Sequence, residues 1–366
     1  MKDGRFRKLL DAILVPLLAI LSGLVVMGIL ILFLRKPLFE SYAILFSNGF
    51  GCAEYGNCIF ITALERATPI ILTGLSAVVA FRSGMFSIGQ EGQYLLGAAA
   101  AAWLGYAIHL PPILHALVLM IAAMLVGAGY GWIPGILKVK LGVNELLATI
   151  MLNSIAALVI EYLVQFPMRA DRSTTAHSPV IDESAQLMAF LPGSKWGVGF
   201  IIAVIAVIVI YLYLWRTKPG YEQRMAGQSR KFALFGGIQS DNSAVRAMLI
   251  SGALAGLAGA IEVMGVHRRI MTGFSVGLGF DGLTSAILGQ VHPIGVFIVA
   301  ILFSGLKLGA QIGLQLKLDI PRELGGTIIG FIVLFVAAGK LYEENIVRAR
   351  DWFTRRRGNN LKGESR

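Results

Sequence analysis

The sequence predicts an all-α polytopic membrane protein with about ten transmembrane helices, and three observations carry that prediction. Hydrophobic residues make up 56% of the 366, charged residues only 14%, and the mean hydropathy is +0.73. The apolar residues fall in long runs, many near the roughly 18 to 25 needed to cross about 30 Å of hydrocarbon as helix. Lys and Arg gather at the ends of those runs. A soluble chain of this length needs a charged surface that this composition cannot supply.

The runs fall near residues 9–34, 62–80, 93–108, 113–137, 144–164, 198–215, 246–265, 279–291, 295–316 and 325–342. The net charge of +11 would suit nucleic acid, but topology explains it better. With the N-terminus cytoplasmic, the basic head (Lys2, Arg5, Arg7, Lys8), Arg82, Lys138, Lys140, the connector 216–246 and the tail all lie inside, as the positive-inside bias requires. Both termini are then cytoplasmic. His267, Arg268 and Arg269 fall on the outer side and run against the bias.

The first run follows a basic head as a signal peptide would, yet it is too long and no small-residue cleavage site follows, so it stays as a helix. Cys52 and Cys58 share an expected outer loop, where an oxidising compartment would allow a disulfide; two unpaired small hydrophobes are the alternative. The long polar segment 165–197, with Pro167, Pro179 and Pro192, either covers the extracellular mouth, meets a soluble partner, or is a solvated connector.

An internal echo is more telling. GMFSIGQEG begins at Gly84 and GFSVGLGFDG at Gly273, about half the chain later. Phe86, Ser87, Ile88 and Gly89 align with Phe274, Ser275, Val276 and Gly277, and Glu91-Gly92 with Asp281-Gly282 after a two-residue insertion. Gly-interrupted hydrophobic segments at matching places in two halves point to transporter architecture and to its substrate region. Breaks of this kind free backbone groups that lipid cannot satisfy, so they must face protein or a water-filled path.

Enzyme signatures are mostly missing: the chain has no HExxH and no Cys/His cluster at metal spacing, and its five histidines are scattered. A phosphate loop is also lacking, since Leu341 follows Gly339-Lys340 and Leu334 stands where its first glycine belongs. The candidates are polar residues inside apolar runs: Gln90, Glu91, Gln93, Asn144, Glu145, Asn153, Glu161, Glu262, Asp281 and Lys307. Each carboxylate serves either a helix end or packing, or a translocation path. Asn144 reads as an N-cap with Glu145 in the first turn, Glu91 and Gln93 open a helix in the same way, and Lys307 either snorkels or pairs with a carboxylate. Gly127, Gly131 and Gly135, like Gly252, Gly256 and Gly259, permit close helix approach.

The connector carries Arg216, Lys218, Arg224, Arg230, Lys231 and Arg246 against only Glu222 and Asp241, with a short apolar turn at residues 231–237. It reads as a cytoplasmic docking surface placed between the two halves.

GMFSIGQEGQYLLGA from Gly84, GVNELLATIMLNSIA from Gly142, SGALAGLAGA from Ser251 and GFDGLTSAILG from Gly279 resemble, in order, the recurrent blocks of bacterial ABC importer permeases of the branched-chain amino acid, ribose and nucleoside branch. The resemblance covers nearly the whole chain. Glu91-Gly92-Gln93 and Met151-Leu152-Asn153 look most like nucleoside (guanosine-type) and simple-sugar permeases. It implies a type II-like ABC importer permease fold with two pseudo-repeated halves, arranged as an N-terminal helix and outer loop (1–61), a first transmembrane half (62–215), a coupling loop (216–246), a second half (247–345) and a basic tail (346–366).

It further implies a nucleoside importer subunit of the bacterial inner membrane that binds no cofactor itself, with ATP and Mg on a separate cytoplasmic ABC ATPase. A shorter paralogous permease as heterodimer partner and an extracytoplasmic binding lipoprotein complete the expected assembly. Substrate would pass near Phe86, Ser87, Gln90, Glu91, Gln93, Asn144, Asn153, Phe274, Ser275, Phe280 and Asp281. The ATPase would dock at a coupling helix within 223–238, on Arg224, Gln228, Arg230, Lys231, Phe232, Leu234 and Phe235, although Arg224-Met225-Ala226-Gly227-Gln228-Ser229 departs from the family's Arg-Ala-Val-Gly-x-Asn. Simple sugars or riboflavin are the alternative cargoes. An ion-coupled secondary transporter is the alternative class.

Overall fold

Apolar runs in a chain with few charges fold as helices, because only intrahelical bonds satisfy every backbone group away from water. The computed structural model describes residues 25–52, 58–170, 175–191, 193–274 and 277–321, together with 326–327, 330–331 and 334. Helices form all of its regular structure, apart from isolated β-bridges, among the described residues. They are α1 (residues 25–33), α2 (Leu38–Phe50), α3 (Ile59–Arg82), α4 (Gln90–Ala107), α5 (Pro112–Leu141), α6 (Glu145–Gln165), α7 (Val198–Arg216), α8 (Lys218–Gln228), α9 (Arg230–Phe235), α10 (Ser240–Ile261), α11 (Leu278–Leu288), α12 (Pro293–Leu308) and α13 (Leu314–Leu318). Wider π turns, Glu262–His267 and Gly309–Gly313, continue α10 and α12.

Six of the described helical segments are long and apolar enough to cross a membrane: α3, α5, α6, α7, α10 with its π turn, and Pro293–Leu318. The span expected at 93–108 is α4, eighteen residues diluted by Gln, Gly and Ala. That expected at 279–291 is α11, eleven residues and about 16 Å long, half of the roughly 30 Å hydrocarbon thickness. The run 325–342 and most of 9–34 lie outside the described residues, as does the tail 346–366. A helix not anticipated, α2, occupies the expected outer loop; Pro37 precedes it and its carbonyl accepts the Ser41 hydroxyl at 2.7 Å.

The described residues form two compact units, one made of those up to Gly49 and from Leu306 onward, the other of those within Phe50–Gly305. In the first, the π turn at Gly309 lies directly against the Leu45 backbone and Gly313 against Asn48. In the second, α10 is the central helix, packed on α5, α4 and α3. Lipid offers helices no hydrophobic drive to associate, so close backbone contact has to hold them. The sequence meets that need with small residues. A Cβ on Gly252 would collide with the Gly127 carbonyl oxygen, and one on Gly256 with that of Ala123; one on Gly97 would meet Gly256. Ser76 and Ser251 share a hydrogen bond of 2.8 Å between α3 and α10, and Ser304 of α12 donates to the Ala63 carbonyl at 2.8 Å.

Cys52 and Cys58 are disulfide-bonded. The segment after α6 returns along the bundle end: Ser178, Ile181 and Leu187 donate their amides to the carbonyls of Ile270, Arg268 and Met264 at 2.8 to 3.0 Å. Asp182 donates to Gly105 at 2.8 Å. The segment covers that end of the bundle and holds residues 264–272 against it.

The glycine seam gives a paired test. Gly252→Val should abolish a folded, monodisperse protein in detergent, whereas Gly129→Ala, on the open face of α5 with nothing within 4 Å, should raise the unfolding temperature slightly, as a helix-interior Gly→Ala worth about 0.5–1 kcal/mol does. Thermal unfolding monitored by size-exclusion chromatography reads both.

Candidate functional site

Glycine-interrupted helices have orphan amides and carbonyls to place. Gly282 of α11 packs on Thr73 and Gly74, near the middle of α3. Thr73 Oγ1 donates to the Leu278 carbonyl at 3.1 Å. The other end of α11 meets the end of α3, where Arg82 Nε donates to the Val291 carbonyl at 2.8 Å. Thus α11 starts halfway along α3 and runs out to its C-terminal end.

The start of α4 meets the start of α11. Glu91, in the first turn of α4 and 4% exposed, accepts the Gly279 amide on Oε2 at 2.6 Å. Gly279 has no room for a side chain, since a Cβ would lie 2.5 Å from the Glu91 nitrogen. One carboxylate therefore serves two helix N-termini, its own and that of α11, where negative charge is favoured and free amides point. Residues 83–89 bring the chain from the end of α3 back to this level.

That returning strand of backbone is held by α6. The Ile88 amide donates to Thr149 Oγ1 at 3.1 Å. Asn153 spans the junction, donating from Nδ2 to the Ile88 carbonyl at 2.8 Å and accepting the Gly92 amide on Oδ1 at 2.9 Å. Ser87 accepts the Gly89 amide at 3.2 Å, and Gln90 Nε2 donates to the Ser87 carbonyl at 3.2 Å. Beside this junction Gln90 Oε1, Gln93 Oε1 and the Tyr94 hydroxyl are buried with no hydrogen-bond partner among the described residues.

The structure thus brings together Ser87, Gln90, Glu91, Gln93 and Asn153. Phe274 is close by through Tyr94, the rings stacked at 5.8 Å, and His267 meets Phe274 edge-on at 5.3 Å while lying 3.2 Å from Glu262. Phe86 and Phe280 are exposed, Phe86 stacked on Phe81 at 4.4 Å. Asp281 stands half-exposed in the first turn of α11. Asn144 stands apart at the start of α6, where its side chain accepts the Leu146 amide at 2.9 Å, and neighbouring Glu145 pairs with Lys138 at 2.7 Å. Ser275 lies outside the described residues. Thr149 was not singled out from sequence; its place one turn before Asn153, on the same face, was the available signal.

The connector forms two helices. Thr217 caps α8, accepting the Gly220 amide at 3.2 Å, and Ser229 ends α8 and caps α9, accepting the Phe232 amide at 3.3 Å. On α9 the side chains of Phe232, Leu234 and Phe235 are 67%, 61% and 93% exposed, with Ala233 turned inward. Arg230 pairs with Asp241, and Arg246 with Glu222 at 3.2 Å. Gln228 and Lys231 are exposed. Arg224 points inward instead, its guanidinium 5.4 Å from the centre of the Trp215 ring.

Trp215 is shared. Arg82 also lies 5.4 Å from its centre, and His292 packs on it at 4.8 Å. Burial, with the Arg82 charge adding to it, lowers the pKa of the His292 imidazole from its ordinary value. Gln223 is fully buried: Nε2 donates to the Val79 carbonyl at 2.6 Å, and Oε1 accepts the Tyr213 hydroxyl at 3.0 Å. The α3 end turns tightly, with Ser83 bonding Ala80, and the Val79 carbonyl takes its donor from α8.

Removing the Asn153 side chain should be costly. Asn153→Ala leaves the Ile88 carbonyl and the Gly92 amide unpaired inside the bundle, about 1–3 kcal/mol for each, whereas Asn144→Ala loses one exposed cap worth about 1 kcal/mol. Thermal unfolding in detergent should rank Asn153→Ala well below Asn144→Ala; equal midpoints would contradict the assignment.

Residues 59–337 match the family described as branched-chain amino acid transport system / permease component. The guanosine ABC transporter permease protein NupP of Bacillus subtilis (strain 168) is 34% identical over 334 residues, 90% of this chain and 94% of that protein. The nucleoside ABC transporter permease protein NupB of Lactococcus lactis subsp. cremoris (strain MG1363) is 31% identical over 348 residues, 92% of this chain and 94% of its own. The glucose ABC transporter permease protein TsgB13 of Haloferax volcanii is 28% identical over 342 residues, 90% and 88% of the two chains. No solved structure matches. Helices of membrane-crossing length, two interrupted segments joined through Glu91 and Gly279, and a match over residues 59–337 place this chain in the branched-chain amino acid transport system / permease component family.

Proposed function

We propose that this chain is the membrane-spanning permease subunit of an ATP-driven importer for nucleosides. The observation that carries the substrate class is the end-to-end similarity to NupP, 34% over 90% of this chain and 94% of that protein. Simple sugars are the second reading, on the strength of TsgB13.

The exposed surfaces support the rest of the machine. Exposed aromatic side chains on a short helix within a polar connector suit a protein partner, and α9 is accordingly the dock for a separate ABC ATPase that holds ATP and Mg. Apolar faces on α5, α6 and α7, such as Ile121, Leu125, Leu158 and Ile205, suit lipid and a second, paralogous permease. The covered end of the bundle, residues 175–197 with 264–272, is the outer face that receives the binding lipoprotein. Basic residues in the connector and tail support a bacterial inner-membrane protein with both termini on the cytoplasmic side.

About ten membrane-embedded helical segments in two related halves, 62–215 and 247–345, remain the proposed architecture, with α11 as a half-length member. Phe86 and Phe274 stand 188 residues apart in the chain, the same interval that separates the bonded pair Glu91 and Gly279. Nucleotide-driven motion at α9 then biases the bundle between outward and inward openings. The cargo passes beside the two interrupted segments, where Phe86, Phe280 and Asp281 are accessible. Gln90 and Gln93 contribute buried acceptors there that a rearrangement can pair.

The test is uptake of labelled guanosine into proteoliposomes holding the permeases and ATPase with the binding protein added. Uptake should require ATP and persist when ion gradients are collapsed; uptake driven by an ion gradient without ATP would overturn the reading, and competition by glucose but not nucleosides would favour the sugar class. Phe235→Asp should abolish ATPase co-purification while leaving membrane insertion intact. Unchanged co-purification would move the dock away from α9.

A further inference from the structure

We propose that Gln223 is a positioning residue for transport, whose buried amide makes α8 move as one body with the end of α3 and so carries ATPase motion to both interrupted segments. The proposal rests on the reading of α9 as the ATPase dock and adds how displacement leaves it.

Three ties on α8 support this. The first is the Gln223 amide on the Val79 carbonyl, 2.6 Å, in a wholly buried setting where a lost bond finds no water to replace it. The second is backbone contact: Gly227 lies against residues 82–84, with a Cβ there only 2.7 Å from the Gly84 nitrogen, and Gly84 takes a φ of +79° that suits glycine. Residues 83–89 lead directly from that contact to Gln90 and Glu91. The third is the shared Trp215 ring, which carries Arg224 of α8 on one hand and Arg82 and His292 on the other. Arg82 in turn holds the Val291 carbonyl just beyond α11.

One element therefore touches the start of the 83–89 segment that leads into α4 and, through Trp215 and Arg82, is linked to the exit from α11; Glu91 joins the far end of that segment to the start of α11. Packed interfaces switch between discrete arrangements rather than stretch. If α8 slipped on α3, motion at α9 would be absorbed at the Ser229 turn; with Gln223 in place, it shifts both segments together. Tyr213 contributes less, because it lies on the neighbouring α7 and only orients the amide.

The experiment uses the reconstituted complex with binding protein and guanosine, and reads nucleoside taken up per ATP hydrolysed together with ATPase co-purification. Gln223→Met keeps the volume and removes both hydrogen bonds. Co-purification should stay at the wild-type ratio while uptake per ATP falls at least about fivefold, the lower end of typical coupling effects. Tyr213→Phe should remain near wild type. If Gln223→Met does not assemble, Gln223→Asn, too short to span Val79 and Tyr213, is judged by the same ratio. Wild-type uptake per ATP, or a loss of uptake that tracks loss of ATPase binding, would overturn the proposal. Failure of the docking reading shows separately, as normal ATPase binding by Phe235→Asp.

Discussion

The bond between the Glu91 carboxylate and the Gly279 amide is the constraint on which the arrangement depends. A helix broken inside a bilayer exposes amides and carbonyls that hydrocarbon cannot satisfy, each costing several kcal/mol if left alone. Two helix N-termini, α4 and α11, face this problem at one level of the bundle, near the middle of α3. The Glu91 side chain, in the first turn of α4 and accepting the Gly279 amide, stands at both at once. Around it Asn153, Thr149, Ser87 and Thr73 pair the Gly92, Ile88 and Gly89 amides and the Leu278 carbonyl, so the break is a built junction rather than a gap.

Close packing makes the junction possible. The carboxylate reaches Gly279 only because that position lacks a Cβ, and α10 sits deep among α3, α4 and α5 only because glycines line its contacts. The same logic recurs where Gly227 meets Gly84. Small residues bring backbones together, and polar side chains then fix their register. Away from the junction the surfaces change character: apolar faces on α5, α6 and α7, and aromatic side chains on α9. Chemistry in this chain is concentrated where helices stop.

Much of this was legible in the residues. All-helical membrane character followed from the apolar runs, the α6 cap at Asn144 from a polar residue placed before one, and the position of the break from GMFSIGQEG and its echo. The role of Asn153 was half visible: its cost inside an apolar run marked it, but its two bonds to Ile88 and Gly92 depend on α6 lying beside a segment more than sixty residues away. Length misled at α11, where an apolar run reads alike whether it crosses the bilayer or half of it. Arg224 reads from sequence as part of a basic docking face, yet it turns toward Trp215, and Gln223 carried no signal because its value lies in meeting the end of α3. Helix-end accounting across elements is a tertiary property that periodicity does not contain.

The central claim, that a single carboxylate holds two helix N-termini together, is tested most directly by comparing Glu91→Gln with Glu91→Ala for thermal unfolding in detergent and for nucleoside uptake. Glutamine keeps an acceptor oxygen for the Gly279 amide and should retain a folded protein with a modest loss; alanine should lower stability further, by about 1–3 kcal/mol for the unpaired buried amide, and abolish uptake. Wild-type stability and uptake in Glu91→Ala would contradict it.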